Sequence, residues 1–336
     1  MKNFHKILFI NTMTIGTLIA VSSMSWLTAW IGLEINLLSL LPLMQMYKNK
    51  SSSEAMIKYF IVQAMASAML LFSIIIFTNT KNFNVELNVI TSIMMDTALM
   101  LKLGAAPLHF WFPEIASGLS WEMNFVLMTW QKIAPMMLLT YSTQIPTFLS
   151  IIIIISSMIS GLQGMNQTCL RKILTYSSIN HVSWMISALL NSMNVWLYYF
   201  LIYCIINFNI IIMLNKYNIM YLKQLGKIFA FSKKLKFFFM LNFLSLGGLP
   251  PFLGFFPKWM TVNHMVTKNY HILAMLLILF TLVTLYFYMR ITFTSFSINT
   301  EESMIMVFNK MNYFYFYSNL ISLIGLVMCT IASNFY

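Results

Sequence analysis

Long apolar stretches separated by short polar connections constrain this chain more than any other feature of its sequence. A helix that spans a membrane needs about 20 predominantly apolar residues. Eleven stretches come close to or exceed that length, at 7–23, 25–46, 56–78, 88–116, 122–142, 147–164, 172–190, 195–215, 236–266, 271–293 and 316–334. We therefore predict an all-α polytopic membrane protein with about 11 transmembrane helices.

The balance of apolar and charged residues agrees with a membrane location. Of the 336 residues, 60% are hydrophobic and 8% are charged, whereas soluble domains carry about 25% charged residues. The formal net charge of +12 would suggest a nucleic-acid partner in a soluble protein. Here the basic residues lie mainly in the predicted loops and form no stripe interleaved with exposed aromatic residues, so we predict a lipid bilayer and no nucleic acid.

The basic residues also predict an orientation. The side of the membrane that holds the N-terminus carries Lys2, Lys6, Lys48, Lys50, Lys58, Arg171, Lys172, Lys216, Lys223, Lys227, Lys233, Lys234, Lys236 and Lys310. The loops of the opposite side hold Lys81 and Lys268. Because basic loops stay inside, we predict the N-terminus on the matrix or cytoplasmic side. We interpret the basic loop 216–236 as a surface connector, with binding of lipid headgroups such as cardiolipin as the alternative.

Two similar segments interrupt the over-long stretches 88–116 and 236–266. Residues 104–113 read GAAPLHFWFP and residues 248–257 read GLPPFLGFFP, each with Gly-x-x-Pro and a second proline preceded by phenylalanine. Proline breaks a helix because it lacks the backbone donor and clashes with the preceding turn. The fourth and ninth stretches cross in opposite directions, and inverted repeats with broken helices are typical of transporters. We predict one transmembrane domain over 1–336, with inverted repeats at 24–143 and 147–270 and C-terminal helices in 271–336.

Four charged residues fall inside apolar stretches, where a charge costs at least ~2.5–3.5 kcal/mol. They are Glu34, Lys102, Lys132 and Lys258. A set of structural ion pairs, with Glu34 beside Lys102, is one interpretation. However, there are three such lysines and one clear glutamate partner, which leaves at least one lysine without a fixed acid. Burial lowers the pKa of an ammonium group and a nearby carboxylate raises it, so a buried lysine with a movable partner can load and release a proton.

Other titratable residues are weaker candidates. His109 lies between the two prolines of the first break and His181 lies early in the stretch 172–190. Each is a candidate proton relay, because histidine titrates near neutral pH, or a hydrogen-bonded core group. Asp96 is a fifth buried charge to which we assign no role. Glu114 is expected at the membrane surface.

The sequence lacks the patterns that hold redox centres or metals. No glycine-rich loop follows a strand, and Cys169, Cys204 and Cys329 are scattered without a ligand spacing. We therefore predict no cofactor and no metal in this chain. The N-terminus has no transit-peptide features, and the abundance of Met (30) and Phe (29) with only two arginines is what AT-rich coding of an organelle gene would give.

Five runs, in order along nearly the whole chain, carry a likeness to a known family. They are SWLTAWIGLEINLLSLLP, LKLGAAPLHFWFPEI, LMTWQKIAP, NQTCLRKILTYSSINHVSWM and NFLSLGGLPPFLGFFPKW. Together they resemble NADH dehydrogenase subunit 2 of animal mitochondria, and the composition looks like an arthropod version. Ser183 stands where the related motif usually has glycine.

The resemblance implies a membrane-arm subunit of respiratory complex I in the mitochondrial inner membrane, related to cation/proton antiporter subunits. It implies other membrane-arm subunits as partners, eleven helices and no cofactor, since NADH oxidation and ubiquinone reduction occur elsewhere in the complex. By motif, Glu34 and Lys102 match the family's paired acid and base. Lys132 matches the central lysine and Lys258 the lysine toward the exit.

Two other functions fit the residues alone. A free-standing cation/proton antiporter would use the same inverted repeat and the same lysines. A membrane scaffold would use the buried charges only to fix helix register. The antiporter is distinguished from a complex subunit by whether the chain is found in a large assembly. The scaffold is excluded by a lysine variant that assembles fully but has lost activity.

Overall fold

The computed structural model describes residues 2–45, 50–80, 85–142, 145–225, 233–297 and 319–320. Within these ranges all regular elements are helical, and the β geometry is limited to an isolated bridge between Cys169 and Tyr221. The all-α prediction is therefore confirmed. Most of the predicted span 316–334, and residues 226–232 of the basic loop, lie outside the described residues.

The helices follow one another with short connections. They are α1 (Lys2–Val21), α2 (Trp26–Met44), α3 (Lys50–Thr80), α4 (Val85–Leu103), α5 (Trp111–Gly118), α6 (Trp121–Met128), α7 (Trp130–Ser142), α8 (Pro146–Met165), α9 (Leu170–Asn191), α10 (Met193–Lys216), a 3₁₀ turn (Leu222–Gln224), α11 (Lys233–Gly247), α12 (Phe255–Thr267) and α13 (His271–Ser297). In the described part of the chain, six of these are long and apolar enough to cross a membrane: α1, α2, α3, α8, α10 and α13.

The two predicted helix breaks have the same local structure. α4 ends immediately before Gly104 (φ +71°) and α11 immediately before Gly248 (φ +77°). A cis peptide bond precedes Pro107 in the first break and Pro251 in the second. The next helix starts at Trp111 in one case and at Phe255 in the other, at the same distance beyond the glycine.

Backbone hydrogen bonds explain why each helix stops at its glycine. Gly104 N–H donates to the carbonyl of Leu101 and Ala105 N–H to that of Met100, and Gly248 and Leu249 repeat this pattern with Ser245 and Leu244. This pair of bonds is the Schellman motif, which needs a left-handed residue after the helix. Glycine adopts that conformation without steric cost, and the following proline prevents continuation.

A third interruption was not predicted. We expected one helix over 122–142, but the structure divides it at Thr129 into α6 and α7. The Thr129 hydroxyl donates to the Phe125 carbonyl at 2.7 Å, and such back-bonding bends helices. Pro135 inside α7 has no N–H to offer the carbonyl of Gln131. The interruption places Lys132 in the first turn of a new helix.

The chain divides into two compact units, Met1–Ser156 and Ser157–Tyr336. In the N-terminal unit α2 packs against α1 and α3, and α4 packs against α3 and α7. In the C-terminal unit α9 packs against α10, α12 and α13. All side chains from Ile173 to Ala188 of α9 are buried, so this helix can carry serine, asparagine and histidine that lipid would not accommodate.

Candidate functional site

Lys102 and Lys132 line the same cavity in the N-terminal unit. Lys102 is at the end of α4, just before the break, and Lys132 is in the first turn of α7. Their exposed fractions are 7% and 2%. The cavity volume is ≈ 20 Å³, about enough for one water molecule, since roughly 10–15 Å³ holds one. The two discontinuous helices thus bring two buried ammonium groups to one small polar space.

Uncharged polar side chains complete the lining of this cavity. The side-chain amides of Asn36 and Gln131 exchange two hydrogen bonds of 3.0 Å. The Tyr59 hydroxyl donates to Gln131 Oε1 at 3.5 Å, and Gln63 Nε2 donates to the Lys102 carbonyl at 3.5 Å. These groups offer acceptors to an ammonium ion or to water without adding a formal negative charge.

The helix break also supplies aromatic residues to the cavity. Trp111 and Phe112 begin α5 and line the same space. Lys132 Nζ lies 5.7 Å from the centre of the Phe112 ring, which is within the range of a cation–π interaction. This contact gives the Lys132 ammonium group an aromatic partner inside the protein.

Glu34 is close to the cavity but is not in salt-bridge contact with Lys102. Its side chain is partly exposed, and its charge acts on both Lys102 and Tyr59. Within the described ranges, the ion pair closer than 4 Å joins Lys58 Nζ and Glu114 Oε2, at 2.6 Å, with both side chains about half exposed. Glu114 is therefore a surface group, as predicted. Glu34 acts on Lys102 through space and not through a direct contact.

His109 is not brought to the cavity. It is fully buried in the turn between α4 and α5, where its Nδ1 lies 3.2 Å from the Pro107 carbonyl and its ring 4.5 Å from that of Phe110. Of the residues that the structure describes, those lining the Lys102–Lys132 cavity do not include His109. His109 is therefore part of the turn that forms the first helix break.

Lys258 occupies the second break, in the C-terminal unit. Its Nζ donates to the carbonyls of Gly247 at 2.8 Å and Leu246 at 3.4 Å, and it lies 5.9 Å from the Trp184 ring centre. These carbonyls end α11, and the C-terminal end of a helix carries partial negative charge. The lysine, 8% exposed, therefore binds backbone dipoles of the broken helix.

Gly248 makes this position of Lys258 possible. A Cβ atom on Gly248 would lie 2.7 Å from Lys258 Cδ, which is closer than carbon atoms approach without a bond. The same residue needs a positive φ for the end of α11. One glycine thus both ends the helix and leaves space for the lysine side chain.

His181 lies on the other side of the same break. Its Nδ1 is 2.9 Å from the Tyr199 hydroxyl, and its ring is 5.0 Å from that of Tyr203. These three residues line a second small cavity, ≈ 10 Å³ in volume, together with Ser245, Leu246, Gly254 and Pro257. Leu246 also provides a carbonyl to Lys258, so His181 and Lys258 flank one helix end.

Sequence reasoning missed the uncharged members of both cavities, namely Asn36, Tyr59, Gln63, Gln131, Tyr199 and Tyr203. Amides inside apolar stretches were a usable signal, because a buried amide must find hydrogen-bond partners. Asn36 lies two residues after Glu34, and Gln131 directly precedes Lys132 in sequence. As for metals, no three His, Cys, Asp or Glu side chains come together in the described ranges in a way that could hold an ion.

The chain is similar to proteins whose family descriptions agree with one another. Residues 23–285 match the family described as NADH:quinone oxidoreductase/Mrp antiporter, TM. NADH-ubiquinone oxidoreductase chain 2 of Anopheles gambiae is 44% identical over 334 residues, which cover 98% of each chain. The chain 2 protein of Locusta migratoria is 43% identical over 334 residues, covering 99% of this chain and 98% of its own.

Solved structures share the fold at low sequence identity. A chain of respiratory complex I from Thermus thermophilus with bound aureothin superposes with a TM-score of 0.87 at 22% identity, over 96% of this chain and 78% of that one. A chain of the Mrp complex from Dietzia sp. DQ12-45-1b gives 0.76 at 15% identity, over 85% and 59%. A chain of the membrane-bound sulfane sulfur reductase, an archaeal respiratory complex, gives 0.82 at 14%, over 97% and 73%.

Proposed function

The chain belongs to the NADH-ubiquinone oxidoreductase chain 2 family, and from this premise we propose how it moves protons. It acts as a membrane-arm subunit of complex I, the NADH:ubiquinone oxidoreductase, and it holds no redox centre. The observation that carries the proposal is the joint lining of one cavity by Lys102 and Lys132. Protons pass through this cavity while electrons move from NADH to ubiquinone in other subunits.

Burial of two lysines at one small cavity explains how the cavity works. Removing an ammonium group from water disfavours its charged form, so the pair tends to hold one proton fewer than two exposed lysines would. Glu34 stabilises the proton on Lys102, and the Phe112 ring stabilises it on Lys132. A change that weakens the action of Glu34 therefore moves the proton from Lys102 toward Lys132.

Lys258 is the lysine toward the exit in this proposal. The carbonyls at the end of α11 hold its ammonium group without a formal negative charge. Such a site binds a proton less firmly than an ion pair does, because only partial charges compensate it. His181, on the other side of the break, is proposed as a relay through the Tyr199 hydroxyl, 2.9 Å away. His109 stays a candidate relay at the first break.

The membrane topology belongs to the same proposal. Six helices are long enough to cross, and α9 together with the pairs α4–α5, α6–α7 and α11–α12 supports four more crossings. The segment 316–334, largely outside the described residues, would be the eleventh. The matching geometry of the two breaks supports inverted repeats over 24–143 and 147–270. The charge bias supports an N-terminus on the matrix side of the mitochondrial inner membrane.

The partners in this proposal are other membrane-arm subunits. The basic segment 216–236 is proposed as a contact for anionic lipid, with cardiolipin as the mitochondrial candidate. A free-standing antiporter is the competing function, because the matching family description names the Mrp antiporter beside NADH:quinone oxidoreductase. Native electrophoresis of detergent-solubilised mitochondria, with an antibody to this chain and an NADH dehydrogenase stain, separates the two. Migration with the stained large assembly supports the complex I function, and migration apart from it supports the antiporter.

The proton pathway is tested by a Lys102→Met substitution in the assembled complex. We expect a lower ratio of protons translocated to electrons transferred, measured in sealed inner-membrane vesicles. The matched control is Lys58→Met, which removes a half-exposed lysine from a surface ion pair and should leave the ratio unchanged. A normal ratio in the Lys102→Met complex would overturn the proposal.

A further inference from the structure

A second buried acid lies in the N-terminal unit, away from the Lys102–Lys132 cavity. Asp96 on α4 has an exposed fraction of 0%. Its Oδ1 accepts a hydrogen bond of 2.5 Å from the Ser142 hydroxyl on α7. Within the described part of the chain, its Oδ2 has no hydrogen-bond partner. An ionised carboxylate buried with one hydrogen bond is costly by several kcal/mol, so this site is suited to hold a proton.

The Ser142 hydroxyl can serve both protonation states of this acid. Its Oγ lies 2.5 Å from Asp96 Oδ1 and 3.3 Å from the carbonyl of Leu139. When Asp96 is ionised, the hydroxyl donates to the carboxylate. When Asp96 carries a proton on Oδ1, the acid donates to Ser142 Oγ and the hydroxyl turns to the Leu139 carbonyl. Gain or loss of a proton therefore needs only rotation of one hydroxyl.

The pair lies farther from the cavity along α4 and α7, toward the end of the unit that holds the connection between α1 and α2. Asp96 precedes Lys102 on α4 by about 9 Å of helix, and Ser142 follows Lys132 on α7 by about 15 Å. α4 and α7 run antiparallel, because Lys102 at the end of α4 and Lys132 at the start of α7 line one cavity, whereas Asp96, earlier on α4, contacts Ser142 at the end of α7. The end of α7 that holds Ser142 borders a recess of ≈ 240 Å³ lined by Ser23, Ser25, Trp26, Leu138 and Tyr141.

The charged groups on the neighbouring helices do not compete for this acid. α3 and α7 pack against α4. Their titratable residues are Lys50, Glu54, Lys58 and Tyr59 on α3, the last of which lines the Lys102–Lys132 cavity, and Lys132 and Tyr141 on α7. Burial and the Ser142 hydrogen bond are what act on the Asp96 carboxyl. Its proton occupancy is thus set locally.

We propose that Asp96 and Ser142 form a proton-holding site between the Lys102–Lys132 cavity and the membrane surface opposite the N-terminus. The inference rests on the proposed proton function of the cavity. In the step, the Asp96 carboxyl breaks its O–H bond and gives the proton to water on the side of the recess, which becomes a hydronium ion. The Asp96 carboxylate then takes a proton that cavity water relays from the Lys132 ammonium group, whose N–H bond breaks, and no electrons move.

The test uses Asp96→Asn in the assembled complex, because the amide keeps the size of the side chain and can still bond to Ser142. We expect a lower proton-to-electron ratio and the loss of a carboxylic-acid C=O band from the infrared difference spectrum between resting and turning-over enzyme. Asp96→Glu should restore both. A purely structural role would not move the infrared band.

The outcomes separate this inference from the proposed function. If Lys102→Met lowers the ratio while Asp96→Asn leaves both the ratio and the band unchanged, the inference is overturned and the cavity proposal stands. If both variants have normal ratios, both proposals fail. Should Asp96→Asn not assemble, Ser142→Ala takes its place and is expected to lower the ratio. Its control is Ser73→Ala, an equally buried serine that donates to its own helix at Leu70. Equal ratios for those two serine variants would also overturn the inference.

Discussion

The ammonium nitrogen of Lys258 lies 2.8 Å from the carbonyl oxygen of Gly247, the last residue of α11. The helix stops there because Gly248 turns left-handed and Pro251 follows. A helix interior would have used the same carbonyls in its own hydrogen bonds. The broken helix therefore creates the acceptor set that holds a buried lysine, and the glycine and proline pattern and the lysine form one functional unit.

The binding of Lys258 to a helix end predicts the effect of its removal. Lys258→Met should lower the proton-to-electron ratio in sealed vesicles while the subunit still assembles, because the thioether side chain keeps the volume and loses the charge. Lys268→Met is a matched control, since Lys268 also donates to helix-terminal carbonyls, those of Leu190 and Asn191, but is exposed. Equal ratios for the two variants would contradict a proton-carrying role for Lys258.

The role of Gly248 predicts a difference between adjacent glycines. Gly248→Ala should destabilise the break by about 1–3 kcal/mol, the range for a strained backbone conformation, and should displace Lys258. Gly247→Ala is the control, because a Cβ there meets Tyr288 at an ordinary 3.7 Å and the carbonyl that binds Lys258 remains. The temperature at which the complex dissociates on native gels measures the difference. Equal stability of the two variants would show that Gly248 is not needed.

The charge of Lys132 predicts assembly without pumping. Lys132→Met should assemble to a normal level, because methionine fills the space beside Phe112, and should lose proton translocation. The measurements are the amount of complex on native gels and the proton-to-electron ratio. Failure to assemble together with a normal ratio in the residual complex would instead indicate that Lys132 only fixes helix register.

The amide pair Asn36–Gln131 predicts a non-additive effect on stability. Gln131→Leu alone should cost about 1–3 kcal/mol, because the Asn36 amide loses its partner in a buried site. The double variant Asn36→Leu with Gln131→Leu should cost less than the sum of the single variants, since no polar group is left without a partner. Dissociation temperatures of the four complexes give the coupling. Strictly additive costs would mean that the two amides do not stabilise one another.

Local sequence patterns predicted the broken helices correctly. The Gly-x-x-Pro segments at 104–107 and 248–251 stop a helix whatever surrounds them, because the glycine adopts a positive φ and the proline lacks an N–H. The division at Thr129 was missed because threonine inside an apolar helix carries no comparable rule. Its back-bond to Phe125 and the effect of Pro135 become visible only when the helix is built.

The sequence by itself determined the all-α membrane fold, the two breaks, and the burial of Lys102, Lys132 and Lys258, because apolar length, glycine and proline stereochemistry and the rarity of charge in lipid act locally. Tertiary structure decided which of these groups meet. It paired Asn36 with Gln131 and Asp96 with Ser142, and it brought Lys102 and Lys132 to one cavity. His109 does not line that cavity, and Glu34 makes no salt bridge with Lys102. Those relations depend on helix rotation and distance, which arise from packing among residues far apart in the chain.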